Sequence, residues 1–193
     1  MNMSEALKRA MTAEEIQARV GRFDELKPMS TSADLDWVPQ EAMDVIFARD
    51  LRPVIIEQTK NPFGDTAAID GAGGTTMNIS IMPPGQGPCL HSHDNTFETF
   101  VVLDGEIEFL VGPEAEESIT LGKWDTFSCP PGVYRGFRNA GSEDCVLLTF
   151  ITGPIDARDD VGVPPSVGRD IGERFGEKVL NAFKEIASFR EQP

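Results

Sequence analysis

Histidine is scarce in this chain, with two residues in 193, and cysteine, tyrosine and tryptophan are almost as rare at three, one and two. The three cysteines, Cys89, Cys129 and Cys145, are odd in number and contain no CxxC pair. That excludes a disulfide framework or a zinc ribbon and points to reduced thiols of a cytoplasm. Basic charge is also short. Seventeen Lys and Arg stand against 32 Asp and Glu, a formal net charge of -15 with no basic cluster. A polyanion would be repelled, so nucleic acid is not an expected partner. Neutral or cationic small ligands suit the balance, although one inward arginine could still hold an anion. Nowhere is there a run of roughly 20 apolar residues, so no membrane span is expected. In the opening MNMSEALKRAMTAEEIQARV, charges interrupt every apolar group, and no export signal is expected.

What remains is a composition close to the globular average, 40% hydrophobic and 25% charged, and a length that suits one domain burying its own core. Residues 4–20 carry Ala6, Leu7, Ala10, Met11, Ile16 and Val20 at helical spacing, with Thr12 and Glu15 as a capping box. Residues 24–49 read as an extended arm punctuated by Pro28, Ser30, Thr31, Ser32 and Pro39, expected to lie across the main domain or a partner subunit.

From Pro53 the period becomes that of strands for about a hundred residues. Strands are expected at 54–58, 76–82, 89–93, 97–103, 106–111, 117–121, 125–129, 134–139 and 145–152. Pro83-Pro84-Gly85 and Pro130-Pro131-Gly132 are loops, and Asp104-Gly105 has the composition of a two-residue hairpin turn joining 97–103 to 106–111. Many short, evenly spaced strands imply an all-β barrel or jelly roll. A closing helix over residues 170–190 presents Ile171, Phe175, Val179, Leu180, Phe183 and Ile186 on one stripe, to pack on the barrel or at a dimer contact. The division is thus 1–52 helices and arm, 53–153 barrel, and 154–193 loop and amphipathic helix.

Both histidines fall in one stretch. His91 and His93 alternate along a strand, so both imidazoles share a face, about 7 Å apart along the backbone. A turn at Asp94-Asn95 is expected to return the chain with Glu98 opposite them. Two neutral imidazoles and a carboxylate form a facial set for one divalent ion, with coordination positions left open for a substrate. Cys89, two residues before His91, falls on the same face and could add a thiolate. Phe97, Phe100, Phe127, Phe137 and Met82 are expected to wall the barrel, and Phe100, Phe127 and Phe137 could border a pocket with Cys89 and Asn139.

The spacing Gly85-x5-His91-x-His93-x4-Glu98-x6-Gly105 resembles the first motif of the cupin superfamily. The second motif is matched at Pro130, Gly132 and Asn139, while Trp124 stands at its glycine and Arg135 at its histidine. The resemblance covers about residues 53–153 and implies a double-stranded β-helix, the cupin jelly-roll barrel, here with N- and C-terminal helical extensions, and often a homodimer. Arg135 cannot be an ordinary metal ligand because its guanidinium stays protonated. Alternation puts Arg135, Phe137 and Asn139 on one face. Two outcomes are open: Arg135 forks onto a substrate anion beside the metal, or it pairs with Glu98, neutralises it and leaves a metal-free pocket.

The resulting expectation is a cytoplasmic, metal-dependent cupin acting on a small oxygenated or carboxylate-bearing molecule, with one divalent ion per chain. Iron and a dioxygenase-type oxidoreductase reaction come first; zinc, nickel or manganese, and isomerase, decarboxylase or lyase chemistry, are alternatives. A non-catalytic or metal-free small-molecule-binding cupin is the rival.

Overall fold

A computed structural model describes residues 10–29, 35–56, 67–71, 73–153 and 161–190. Near the N-terminus α1 (Ala13–Gln17) carries the expected capping box: Thr12 Oγ1 accepts from Glu15 N, and Glu15 accepts from Thr12 N. The expected extended arm is partly helical. It holds a 3-10 turn at Phe23–Glu25 and α2 (Gln40–Ile46), whose Ala42 is fully buried. Ser30, Thr31 and Ser32 lie outside the described residues.

The barrel strands are β1 (Asp50–Ile56), β2 (Ile69–Asp70), β3 (Thr75–Met82), β4 (Ser92–His93), β5 (Phe97–Asp104), β6 (Ile107–Val111), β7 (Glu117–Leu121), β8 (Thr126–Cys129), β9 (Arg135–Asn139) and β10 (Cys145–Thr152). One sheet runs β2-β1-β3-β10-β5-β8 and a second runs β7-β6-β9. Their inner faces meet over Met82, Phe100, Val102, Ile107, Phe109, Phe137 and Leu147, the jelly-roll arrangement expected of this strand pattern.

The Asp104-Gly105 turn is not a hairpin. β5 pairs with β10 and β8, β6 pairs with β7 and β9, and the turn carries the chain from one sheet to the other. A two-residue turn can join paired strands or redirect the chain, and here burial of both inner faces decides. Gly105 is required all the same, because at φ +82° a Cβ would approach Cys145 Cβ to 2.8 Å.

The expected C-terminal helix is two helices, α3 (Pro165–Phe175) and α4 (Glu177–Lys184), broken at Gly176, whose φ of +90° no helix accommodates. Their stripe of Ile171, Val179, Leu180 and Phe183 is buried against Leu35, Val38 and Ala42 in a second core. Two short strands flank them, β11 (Val161–Val163) and β12 (Ser188–Phe189), and β11 pairs with β4, which bears His93. Tyr134 donates its hydroxyl to Arg190 O at 2.9 Å and ties the terminal segment down. No helix among the described residues is long and apolar enough to cross a membrane.

Candidate metal centre

Backbone placement comes first. The segment leading to His91 lies along β9, where Asn139 N donates to Gln86 O, and His91 and Arg135 exchange N–H···O bonds at 2.8 and 2.9 Å. The approach is close enough that a Cβ on Gly87 would fall 2.0 Å from Phe137 O. This contact fixes His91 on the wall that also carries Arg135. Glu98 reaches the site from the six-stranded sheet, where it pairs with Cys129 and Ile151. The carboxylate is therefore not a hairpin partner of the histidines but faces them from another sheet.

As expected, the two imidazoles share a face, with ring centroids 5.6 Å apart. His91 Nε2 and His93 Nε2 lie 3.6 and 3.8 Å from Glu98 Oε2, and one donor atom from each residue falls within 4.8 Å of the others. An ion bound at about 2.0–2.2 Å would hold such atoms roughly 3 Å apart, so the separations would have to close by up to about 1.8 Å. The donor set fits a divalent transition metal.

Neighbouring groups aim the rings. His91 Nδ1 is 2.8 Å from Cys89 O, an acceptor only, so Nδ1 carries the proton and the Nε2 lone pair turns toward Glu98. His93 Nδ1 is 3.2 Å from Thr96 Oγ1. Burial lowers the pKa of His91, and Arg135 lowers it further against the opposing pull of Glu98. A neutral imidazole is the form a metal needs. Burial by itself would raise the pKa of Glu98, but the Arg135 guanidinium, with the two histidines, holds it well below the usual carboxylate range.

Arg135 does not stand free to clamp a substrate anion. It is 0% exposed; Nε and Nη2 donate to Glu98 Oε2 at 2.8 and 2.5 Å, and Nη1 lies 3.4 Å from both His91 O and Val133 O. A carboxylate on the facing sheet offers a fixed counter-charge at the distance the guanidinium reaches, so Arg135 pairs with Glu98.

Cys89 contributes through its carbonyl; its thiol, which burial pushes up to about 12, is not among the donor atoms that converge with His91, His93 and Glu98. Asn139 is committed to the backbone: Nδ2 donates to Met82 O and Glu143 O at 2.8 and 2.7 Å, and Oδ1 accepts from Gly141 N. Phe100, Phe127 and Phe137 join Phe109 in a ring cluster with centroids 5.0 to 6.1 Å apart. Phe97 is 48% exposed because β5 turns Glu98, Phe100 and Val102 inward.

The turn positions of both motifs share one backbone state. Gly85, Gly105 and Gly132 have φ of +76°, +82° and +77°, and Trp124, where the second motif has glycine, keeps φ +73°. Residues 78–151 match the family model for the cupin domain. These residues form a cupin domain. The chain is 30% identical over 137 residues to the germin-like protein subfamily T member 3 of Arabidopsis thaliana, covering 65% of this chain and 59% of that relative, so it spans about three fifths of the relative's length. A predicted oxalate decarboxylase from Thermotoga maritima has 17% identity and a TM-score of 0.49 over 70% of this cupin and 99% of that chain. A conserved protein with a double-stranded beta-helix domain from Klebsiella pneumoniae has 23% identity and a TM-score of 0.41, over 47% and 76%.

Thr96, the Cys89 carbonyl and the inward-facing polar residues Asn78, Ser80 and Thr149 were not expected as parts of this interior. For β3 a signal existed in the sequence: Asn78 and Ser80 occupy one phase of an otherwise apolar strand.

Proposed function

We propose that this cupin is a metal-dependent enzyme in which His91, His93 and Glu98 hold one divalent ion and a small oxygenated molecule reacts beside it. The carrying observation is the convergence of three donor atoms from two walls of the barrel, with the His91 tautomer fixed by Cys89 O. Such an ion supplies Lewis acidity and, where it is iron, redox chemistry with open coordination positions, which favours a dioxygenase-type reaction over isomerase, decarboxylase or lyase chemistry. The chain's own contribution is positional. Cys89 O and Thr96 set the rings, Arg135 keeps Glu98 ionised and pointed inward, and the phenylalanine cluster excludes water from the floor.

Elemental analysis of protein purified without added metal tests the proposal. About one transition-metal ion per chain is expected in the parent and a large loss in His91→Ala and His93→Ala; a parent without stoichiometric metal overturns it.

A metal-free, small-molecule-binding cupin is the second reading, and one observation favours it: the Arg135 guanidinium already balances the charge of Glu98 without an ion. Arg135→His discriminates. Removing the fixed positive charge and adding a donor should tighten metal binding if the centre is a metal site, and should leave no metal bound if it is not.

A homodimer belongs to this proposal as well. It is supported by the outward phase of the large sheet, where Met77, Ile79, Val101, Leu148 and Phe150 lie side by side, half-buried. Sedimentation velocity of the parent against Leu148→Asp checks it.

A further inference from the structure

Arg135 and both histidines approach one and the same oxygen. Glu98 Oε2 accepts from Arg135 Nε and Nη2 at 2.8 and 2.5 Å, and it lies 3.6 and 3.8 Å from His91 Nε2 and His93 Nε2. An ion taking up Oε2 together with the two rings would share that oxygen with the guanidinium. At metal–oxygen distances of about 2.0–2.2 Å it would stand within about 5 Å of Nη2. Among the described residues Arg135 is the only Lys or Arg that is buried. Solvent therefore does little to screen its charge, and an ion at that distance feels it strongly. Glu98 supplies a single negative charge against it. With neutral imidazoles, the donor set and Arg135 together carry no net charge, whereas the donor set by itself would carry one negative charge.

We propose that Arg135 sets the oxidation state of the centre: it holds a bound redox metal, iron above all, in the divalent form and opposes the trivalent one. This rests on the reading that His91, His93 and Glu98 bind a metal, and it adds a tuning role that the metal ligands do not supply. The argument is Coulombic. Repulsion from a fixed unit charge scales with the charge of the ion, so a trivalent ion is raised half as much again as a divalent one in the same place. A histidine at this position of the second motif would act in the opposite sense, because a neutral donor gives electron density to the ion and carries no charge against it. The guanidinium cannot lose its proton to relieve the repulsion. Nor does it stand free to swing away, since Nε and Nη2 are held by Glu98 and Nη1 lies 3.4 Å from His91 O and Val133 O. The competing account makes Arg135 a purely structural tie between the two sheets.

Iron(II) is loaded anaerobically into the parent, Arg135→Met and Arg135→Lys. The midpoint potential of the one-electron iron(III)/iron(II) couple is then measured with soluble mediators, and iron content is determined on the same samples. Removing a unit charge about 5 Å from the ion should raise affinity for iron(III) relative to iron(II) by about tenfold or more in Arg135→Met, a fall in potential of about 60 mV or more. Arg135→Lys gives up the planar fork but keeps the charge, and its ratio should stay within about threefold of the parent's. An Arg135→Met potential equal to the parent's overturns the tuning role and leaves the structural tie. An Arg135→Lys potential as low as that of Arg135→Met overturns it too, because the shift then follows lost geometry rather than lost charge. Should Arg135→Met fail to fold by circular dichroism, Arg135→Gln, which removes the charge and keeps a donor for Glu98, is read in its place. A parent that takes up neither iron nor zinc overturns the metal reading and this inference with it; iron bound in every variant at one potential overturns this inference alone.

Discussion

Arg135 donates from Nε and Nη2 to a single oxygen of Glu98, and both side chains are sealed inside the barrel. The two residues come from different sheets and are 37 positions apart, so the pair ties the walls together across the interior. Its worth lies in mutual compensation, since two ions out of water are tolerated only while each has the other.

Breaking the pair should therefore cost far more than replacing it. Arg135→Met leaves an uncompensated buried carboxylate and should destabilise the protein by about 3–5 kcal/mol, whereas Arg135→Met combined with Glu98→Leu should return to within about 1 kcal/mol of the parent. Urea denaturation of the three proteins measures this, and a double variant no more stable than the single one would contradict the pairing.

The role of Cys89 in orienting His91 is carried by its backbone. Cys89→Ala should keep zinc affinity within about threefold, while His91→Ala should weaken it by more than about tenfold. With its thiol pushed up to about 12 by burial, native Cys89 should also resist alkylation at pH 8, which mass spectrometry after iodoacetamide treatment reads directly. Fast modification of Cys89 in folded protein would count against its raised pKa.

Trp124 is 69% exposed and holds φ +73°, a conformation costly for any side chain with a Cβ. Trp124→Gly gives up few contacts and relieves that strain. Set against the greater freedom glycine has when unfolded, the net gain should be about 0.5–1 kcal/mol. Calorimetry should show a higher Tm; a lower one would mean that the indole contributes more than its exposure suggests.

Stability of the metal-free protein should fall on the acid side in two stages. His91, with its pKa lowered first by burial and then by Arg135, binds fewer protons folded than unfolded, so stability declines as pH drops below about 6.5. Glu98 would be raised by burial but is held low by Arg135 and the histidines. Its contribution is full above about pH 4.3 and is lost as pH falls from there toward the depressed folded value. Unfolding free energies between pH 8 and pH 3 should show both stages, and His91→Gln should flatten the upper one. A parent equally stable at pH 7 and pH 5 would contradict the assignment of His91.

Several parts of this molecule were legible because they depend on near neighbours. The alternation of His91 and His93, the capping box of Thr12 and Glu15, the stripe from Ile171 to Phe183, and the bounds of β7 and β10 follow from local period and composition. The break at Gly176 and the helix at Gln40–Ile46 were missed because one glycine was outweighed by a strong apolar stripe, and a seven-residue helix leaves little periodic signal.

By itself the sequence determined which residues could meet a metal, since only two imidazoles exist and a carboxylate follows them at the spacing of the cupin motif. It also determined the strand-rich barrel, through alternation and turn chemistry. Only the tertiary structure decided how those groups face one another: that Asp104-Gly105 switches sheets, that Glu98 reaches the histidines from another wall, that Arg135 is consumed by Glu98, and that β3 turns Asn78 rather than Ile79 inward. The reason is physical. Period and propensity act over a few residues, whereas pairing of buried charges and the choice of a strand's inner face are set by which surfaces are left to cover once every other strand is in place.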